Sequence, residues 1–210
     1  MADNYLERRQ EELKNAGKVV LRRSTPSLDT LLLRNRSHRG FDASYIVHRR
    51  QLECIASVNT RLASGRNAQT LRFRIVDETE SSGLGSLLHL GGFLPELHLP
   101  LPGTEPKAFI VVCGTVPENS TVDIDLGISL QSMSLKAVEL GLNALIVRAF
   151  DREPLRAALG LELEPLAVLA IGKGIEDIRL VEVDGGSDLK YFREDGVHYV
   201  PKIKLADLLV

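Results

Sequence analysis

The sequence predicts a chain of mixed class, with helices flanking buried strands, and three observations carry that reading. Ala108–Cys113, Ala144–Val147 and Leu166–Ile171 are short and almost wholly apolar, the mark of strands covered on both faces. Asp123–Leu142 repeats its apolar residues at helical spacing. Asp195-Gly196 lies between Lys190-Tyr191-Phe192 and Val197-His198-Tyr199, and Asp-Gly tolerates the positive φ angles of a tight hairpin.

Taken in order, Asn4–Ala16 is a charged stretch with a narrow apolar stripe of Tyr5, Leu6 and Leu13, which suits a surface helix. Residues 1–27 read as an N-terminal appendage and 28–210 as the main domain. Ser27 is a plausible N-cap for a short helix through Leu28, Leu31 and Leu32 that stops near Asn35, with Asp29 favoured by the dipole of the first turn. Helical spacing resumes from His48 to Ala63, with Asn59 out of pattern, and Ser64-Gly65 ends it. Leu71, Phe73 and Ile75 alternate as a strand with one buried face. Ser81–Gly103, rich in glycine, proline and leucine, is a long excursion of the kind that covers sites, with a short helix at its start. In the long helix, Ile124, Ile128, Leu135, Val138 and Leu142 are expected to face one side, and Gly141 to close it. A further helix is expected from Asp151 to Gly160, with Gly160 as its C′ residue. Gly172-Lys173-Gly174 reads as a strand-ending turn, because no G-x-G-x-x-G fingerprint is completed at Asp177.

Composition narrows the function. The 210 residues carry a net charge of −2, so no global positive field exists to capture nucleic acid or an anionic membrane, and neither is expected as a partner. No apolar run reaches the length of a membrane span or a signal-peptide core, and a cytoplasmic protein is expected. Cys54 and Cys113 are isolated among apolar neighbours and read as buried thiols. The five histidines are scattered without ligand spacing, so no metal is expected. The residues of serine hydrolases, zinc proteases and P-loop enzymes are missing.

Three polar clusters remain. Asn35-Arg36-Ser37-His38-Arg39 offers guanidinium forks and a hydroxyl that match phosphate oxygens. Asn67 and Gln69 carry paired donors and acceptors that can read a flat heterocycle edge. Lys202 and Lys204 lie two apart on an extended segment and aim the same way. Taken singly, each has a plainer reading: a solvated basic loop, a turn and a soluble tail.

Together, their order and wording resemble the FMN-dependent nitroreductase family, from about Leu28 to Val210. Asn35 to Phe41 is similar to the family's R-R-S-[IT]-[RK]-x-F, with Asn35 where the first arginine is usual. Ala63 to Phe73 resembles A-P-S-x-x-N-x-Q-P-W-x-F. Asp125-x-Gly127, Gln131 and Glu139-Leu140-Gly141-Leu142 look like the central helix, and Pro201 to Leu205 like the closing P-K-x-[RK]-L.

The resemblance implies an α+β sandwich with a central mixed, mainly antiparallel sheet flanked by helices, with extended N- and C-terminal segments. It implies a homodimer with FMN at the interface. Arg36, Ser37, Lys202 and Lys204 would surround the FMN phosphate, within a cofactor-binding segment that spans Asn35 to Arg39 and so includes His38. Arg39 would lie by flavin N1 and O2, where its charge tunes the chemistry. Asn67 and Gln69 would bond the ring edge, and the backbone amides of Ala149 and Arg148 would face N5. The implied activity is a ping-pong transfer of hydride from NADH or NADPH, through FMN, to a small oxidised acceptor such as a quinone or nitro compound. The runner-up is a flavin-binding module without turnover.

Overall fold

The computed structural model describes residues 26–92 and 97–210. The expected helix over Asn4–Ala16, and all of the appendage but Pro26 and Ser27, lie outside the described residues.

A four-stranded antiparallel sheet forms the centre, in the order β1 (Leu71–Val76), β2 (Ala108–Gly114), β4 (Glu164–Gly172), β3 (Asn143–Val147). β2 is buried at every position and β4 at every position after Glu164, which explains their uninterrupted apolar runs. Alternation along β2 divides the core. Ala108, Ile110 and Val112 face one apolar cluster, and Phe109, Val111 and Cys113 the other. A register shift after Val112 lets β4 place both Leu166 and Ala167 on the first face.

Two helices cover that face: α2 (Arg49–Ala56), through Leu52 and Ile55, and α3 (Ser120–Glu139). The other face is covered by α4 (Arg152–Leu159), through Leu155, and by a 3-10 turn at Leu84–Leu87. The result is a sheet between helical layers, the α+β class expected. α1 (Leu28–Arg34) lies outside this sandwich; Ser27 Oγ caps it by accepting from the Thr30 amide at 3.2 Å.

Three expectations are corrected. The helix begun at His48 stops at Ala56 and continues only as a 3-10 turn, Ser57–Arg61. Asn59 explains the break in pattern: its Oδ1 accepts from Ser129 Oγ at 2.6 Å, tying the turn to α3. In α3 the inward stripe is Val122, Leu126, Leu130, Met133 and Ala137, while Ile124 is 64% exposed and Ile128 39% exposed. The helix is apolar on two sides, so periodicity alone could not choose between them. Cys113 is buried, its thiol pushed up to about 11 by burial and by the Glu164 charge, whereas Cys54 is only partly buried.

The parallel pairing lies in a second sheet of order β5 (Asp177–Val183), β7 (Val197–Ile203), β6 (Phe192–Glu194), where β5 and β7 run parallel. Asp195 and Gly196 take φ of 49° and 79°, the turn their sequence predicted. A last turn of helix, α5 (Leu205–Leu208), ends the chain. No helix among the described residues is long and apolar enough to cross a membrane.

Candidate functional site

The loop after α1 is fixed to the edge of the core sheet by a bridge from Ser37 to Ala144 at the start of β3, and by another from Phe41 to Gly174. This close approach needs the glycine that ends β4 and the glycine two residues beyond it. A Cβ on Gly172 would meet Phe41 at 2.6 Å, and one on Gly174 would meet His38 at 2.3 Å. The Gly-Lys-Gly turn is therefore the seat of the loop.

So seated, the loop forms one wall of a cavity of about 400 Å³. Asn35, Arg36, Ser37 and Arg39 line it, with Gln131 and Ser134 of α3. β3 contributes Ala144 and Ile146, and the second sheet contributes Ile178, His198, Val200 and Lys202, with Tyr191 just before β6. Among the described residues no carboxylate lines it, although three permanent cations do.

Those cations have no side-chain ion pair with an acid among the described residues. Arg36 donates one guanidinium nitrogen to the Leu32 carbonyl at 2.6 Å, while its Nε is buried without a partner. Burial pulls the Arg36 pKa below its ordinary value. Arg39 lies over the Tyr191 ring, 4.9 Å from its centroid, and donates to the Ser37 carbonyl at 3.2 Å. Lys202 is exposed at the rim with no ion pair among the described residues. Concentrated positive charge and an orphaned guanidinium N–H have the chemistry that complements an anion.

His38 is buried behind this wall, its Nδ1 4.0 Å from Glu176 and without a hydrogen bond. It lines a second cavity with Arg36, Lys173 and Glu176 instead of the first. Glu176 accepts from the Gly40 amide at 3.2 Å, from the Arg39 amide and from Arg193. Burial first, then Arg39 and Arg36, holds His38 below the usual histidine range against the pull of Glu176.

The remaining expected residues fall elsewhere. Lys204 does not line the cavity; Asp184 at 2.5 Å and Asp207 at 3.7 Å hold its ammonium, which corrects the expectation that both tail lysines aim together. Gln69 lines a separate cavity of about 210 Å³ between β1 and α3, and donates to Asn67 Oδ1 at 3.1 Å. Arg66, Asn67 and Gln69 all take positive φ, so this turn is held in an uncommon shape. Above it, Asp125 of α3 accepts from the Gly65 amide at 2.8 Å.

Arg148 and Ala149 are exposed at the far end of β3, where Arg148 pairs with Glu118 and with Asp123 at 3.2 Å. The Arg148 pair places that end beside the first turn of α3, while Gln131 accepts from Asn35 at 3.4 Å further along the same helix. Eight residues of α3 separate the two contacts, roughly 12 Å of helix. α3 thus sets the spacing between the anion cavity and the β3 end. The 81–103 excursion packs Leu84 and Leu88 into the core on the opposite face, and its His89 amide donates to the Ala149 carbonyl at 2.9 Å.

Tyr191 and His198 were missed as lining residues. The signal was present in the sequence: counting back by two from Lys202 gives Val200 and then His198, on one face of β7.

Residues 98–173 match the sequence model of the nitroreductase family. No curated protein matches the chain. Among solved structures, a nitroreductase family protein from Clostridium difficile 630 is 25% identical, with a TM-score of 0.54 over 70% of this chain and 83% of its own. An FMN-dependent nitroreductase from Clostridium difficile is 20% identical, with a TM-score of 0.56 over 70% of this chain and 87% of its own. An FMN- and NADPH-dependent nitroreductase from Sphigopyxis sp. strain HMH is 20% identical, with a TM-score of 0.59 over 71% of this chain and 89% of its own. In fold across about 70% of its length, and in sequence over residues 98–173, the chain is similar to the nitroreductase family.

Proposed function

We propose that residues 28–210 form an FMN-binding unit of a homodimeric oxidoreductase that takes hydride from NADH or NADPH and passes it to a small oxidised acceptor. The single observation that carries this reading is the cavity lined by Arg36, Arg39 and Lys202 with no carboxylate. A phosphate monoester brings about −1.5 to −2 charges near neutral pH, which is what such a lining accommodates. The orphaned Arg36 Nε and the exposed Ser37 supply donors for its oxygens.

In this reading Arg36, Ser37 and Lys202 hold the phosphate, and Asn35 is steadied by Gln131. Arg39 is kept in place by the Tyr191 face and the Ser37 carbonyl, so its charge is available to the ring end of the ligand without cost of reorganisation. Asn67 and Gln69 read the ring's polar edge, and the amides of Ala149 and Arg148 donate toward the reacting atom. When bound, FMN supplies two-electron hydride chemistry; the chain orients the reactants and stabilises charge. Quinones or nitro compounds are the acceptor classes in view.

The dimer is supported by apolar side chains that stand exposed among the described residues. Leu28 and Leu33 of α1 are 62% and 65% exposed, and Ile124 of α3 is 64% exposed. Self-complementary burial of such a face is the usual route to a two-fold dimer.

The visible spectrum of the purified protein is the first test, followed by anaerobic titration with each nicotinamide and re-oxidation by a quinone. A yellow protein bleached by NADH or NADPH and restored by the quinone is expected. Colourless protein that takes up no added FMN sinks the reading. Yellow protein that no nicotinamide bleaches favours a flavin-binding module without turnover.

A further inference from the structure

We propose that His198 is an additional anion-binding group of the cavity, and that binding of a phosphate or sulfate dianion draws a proton onto its imidazole. This rests on the phosphate reading of the same cavity given above.

His198, Val200 and Lys202 alternate along β7 and line the cavity together. His198 is 3% exposed, and its Nδ1 has no hydrogen-bond partner. A buried polar atom without a partner is unfavourable, and His198 lines this cavity as well as a neighbouring one with Arg193 and Glu176. A neutral imidazole presents one donor and one acceptor, whereas the protonated ring presents two donors. A dianion presents acceptors only, so the protonated ring is its complement.

The surrounding charges make this proton conditional. The 35–39 loop brings His38 and Arg39, and β6 brings Arg193, all opposing a charge on the ring, while Arg36 lines the same cavity. Glu176, just before β5, favours the charged ring, and with Asp177 it lines the neighbouring cavity that His198 shares. Tyr191 packs its ring 5.0 Å from that of His198, and Lys202 adds a further positive charge from the same strand. Burial is the largest influence holding His198 below the usual histidine range, followed by Arg39 and Arg193. A dianion among these cations reverses the balance, and the proton comes from the buffer. No bond is made or broken; one proton enters with each anion.

Sulfate is the probe of choice, because it stays doubly charged from about pH 5 to 8 while the FMN phosphate itself titrates near pH 6. Calorimetric titration of the full chain is expected to show sulfate affinity falling about tenfold or more as pH rises across that window, since an adjacent opposite charge shifts a pKa by roughly one unit or more. In two buffers of different ionisation enthalpy, the heats are expected to report proton uptake approaching one per sulfate. His198→Asn is expected to bind sulfate with a flattened pH slope, and His38→Asn to keep the slope. A flat wild type, or the same slope in wild type and His198→Asn, overturns the proposal.

Histidine NMR titration of the wild type gives a second reading that needs no variant. The ring with cross-relaxation to Tyr191 is expected to rise in pKa with sulfate, and an unmoved ring overturns the proposal. Flavin uptake, followed separately by the visible spectrum, keeps the two claims apart. FMN binding with a flat sulfate profile sinks the proton linkage alone, and a steep sulfate profile without FMN uptake sinks the flavin reading alone.

Discussion

Two lysines two residues apart in the tail separate cleanly by their surroundings. Lys202 stands at the cavity rim without an acidic partner among the described residues, and Lys204 is paired with Asp184 and Asp207. Lys202→Ala is therefore expected to weaken FMN binding about tenfold to a hundredfold, the usual worth of a charged hydrogen bond. Lys204→Ala is expected to leave it within about twofold, because only a partly exposed ion pair is lost. Fluorescence titration of flavin distinguishes them, and equal losses would sink the assignment. At this scale the sequence revealed chemistry but not aim. Asn35, Arg36, Ser37, Arg39 and Lys202 were all named from residue type and order, and they do line one cavity. The fate of Lys204 depended on acids that only the folded chain brings near. His38, named with the same loop, turns inward to Glu176 because Gly174 leaves room for its ring.

Helix α3 decides more than any other element. Its inner stripe fills one half of the core, Asp125 and Gln131 brace the two polar loops, and its outer Ile124 and Ile128 are exposed among the described residues. Leu126, which is 1% exposed, is expected to cost about 2–5 kcal/mol when changed to Ala, through lost burial and the cavity left behind. Ile124→Asp, on the outer face, is expected to spare the core but to shift sedimentation from dimer to monomer. Urea unfolding and sedimentation equilibrium check the pair; a Leu126→Ala protein as stable as wild type, or an Ile124→Asp protein that stays dimeric, contradicts the respective claim. The existence of the helix was legible from its 3.6-residue period. Its orientation was not, because Ile124 and Ile128 make a second apolar stripe that competes with the first. β5 escaped notice for a related reason: it is mostly exposed and is paired through a strand far along the chain, so it left no burial pattern to read.

For the whole molecule, the buried histidines tie stability to pH. His38 and His198 are both held below the usual histidine value, chiefly by burial, so the unfolded chain binds protons more readily than the folded one. Stability from this source is full above about pH 6.5, the unfolded value. It is lost as pH falls below that, through the depressed folded values. Urea midpoints are expected to drop on acidification across that window, and less steeply in His38→Asn. A midpoint unchanged there would remove these two rings as the cause. The order of helices and strands was readable along nearly the whole described chain, since local periodicity records it. The split into two sheets was not, since it rests on pairings between distant segments.

The cavity's two walls come from opposite ends of that order. Residues 35–39 are seated on the core sheet, while His198 and Lys202 arrive with one of the last strands. During synthesis the core sheet can therefore close well before the anion site does, because contacts between distant segments form late and at the cost of closing a long loop. A ribosome-bound chain that already has its hydrophobic centre still has only half a pocket. In the flavin reading, FMN capture therefore waits until β7 has docked against the 35–39 loop, and flavin colour reports that docking.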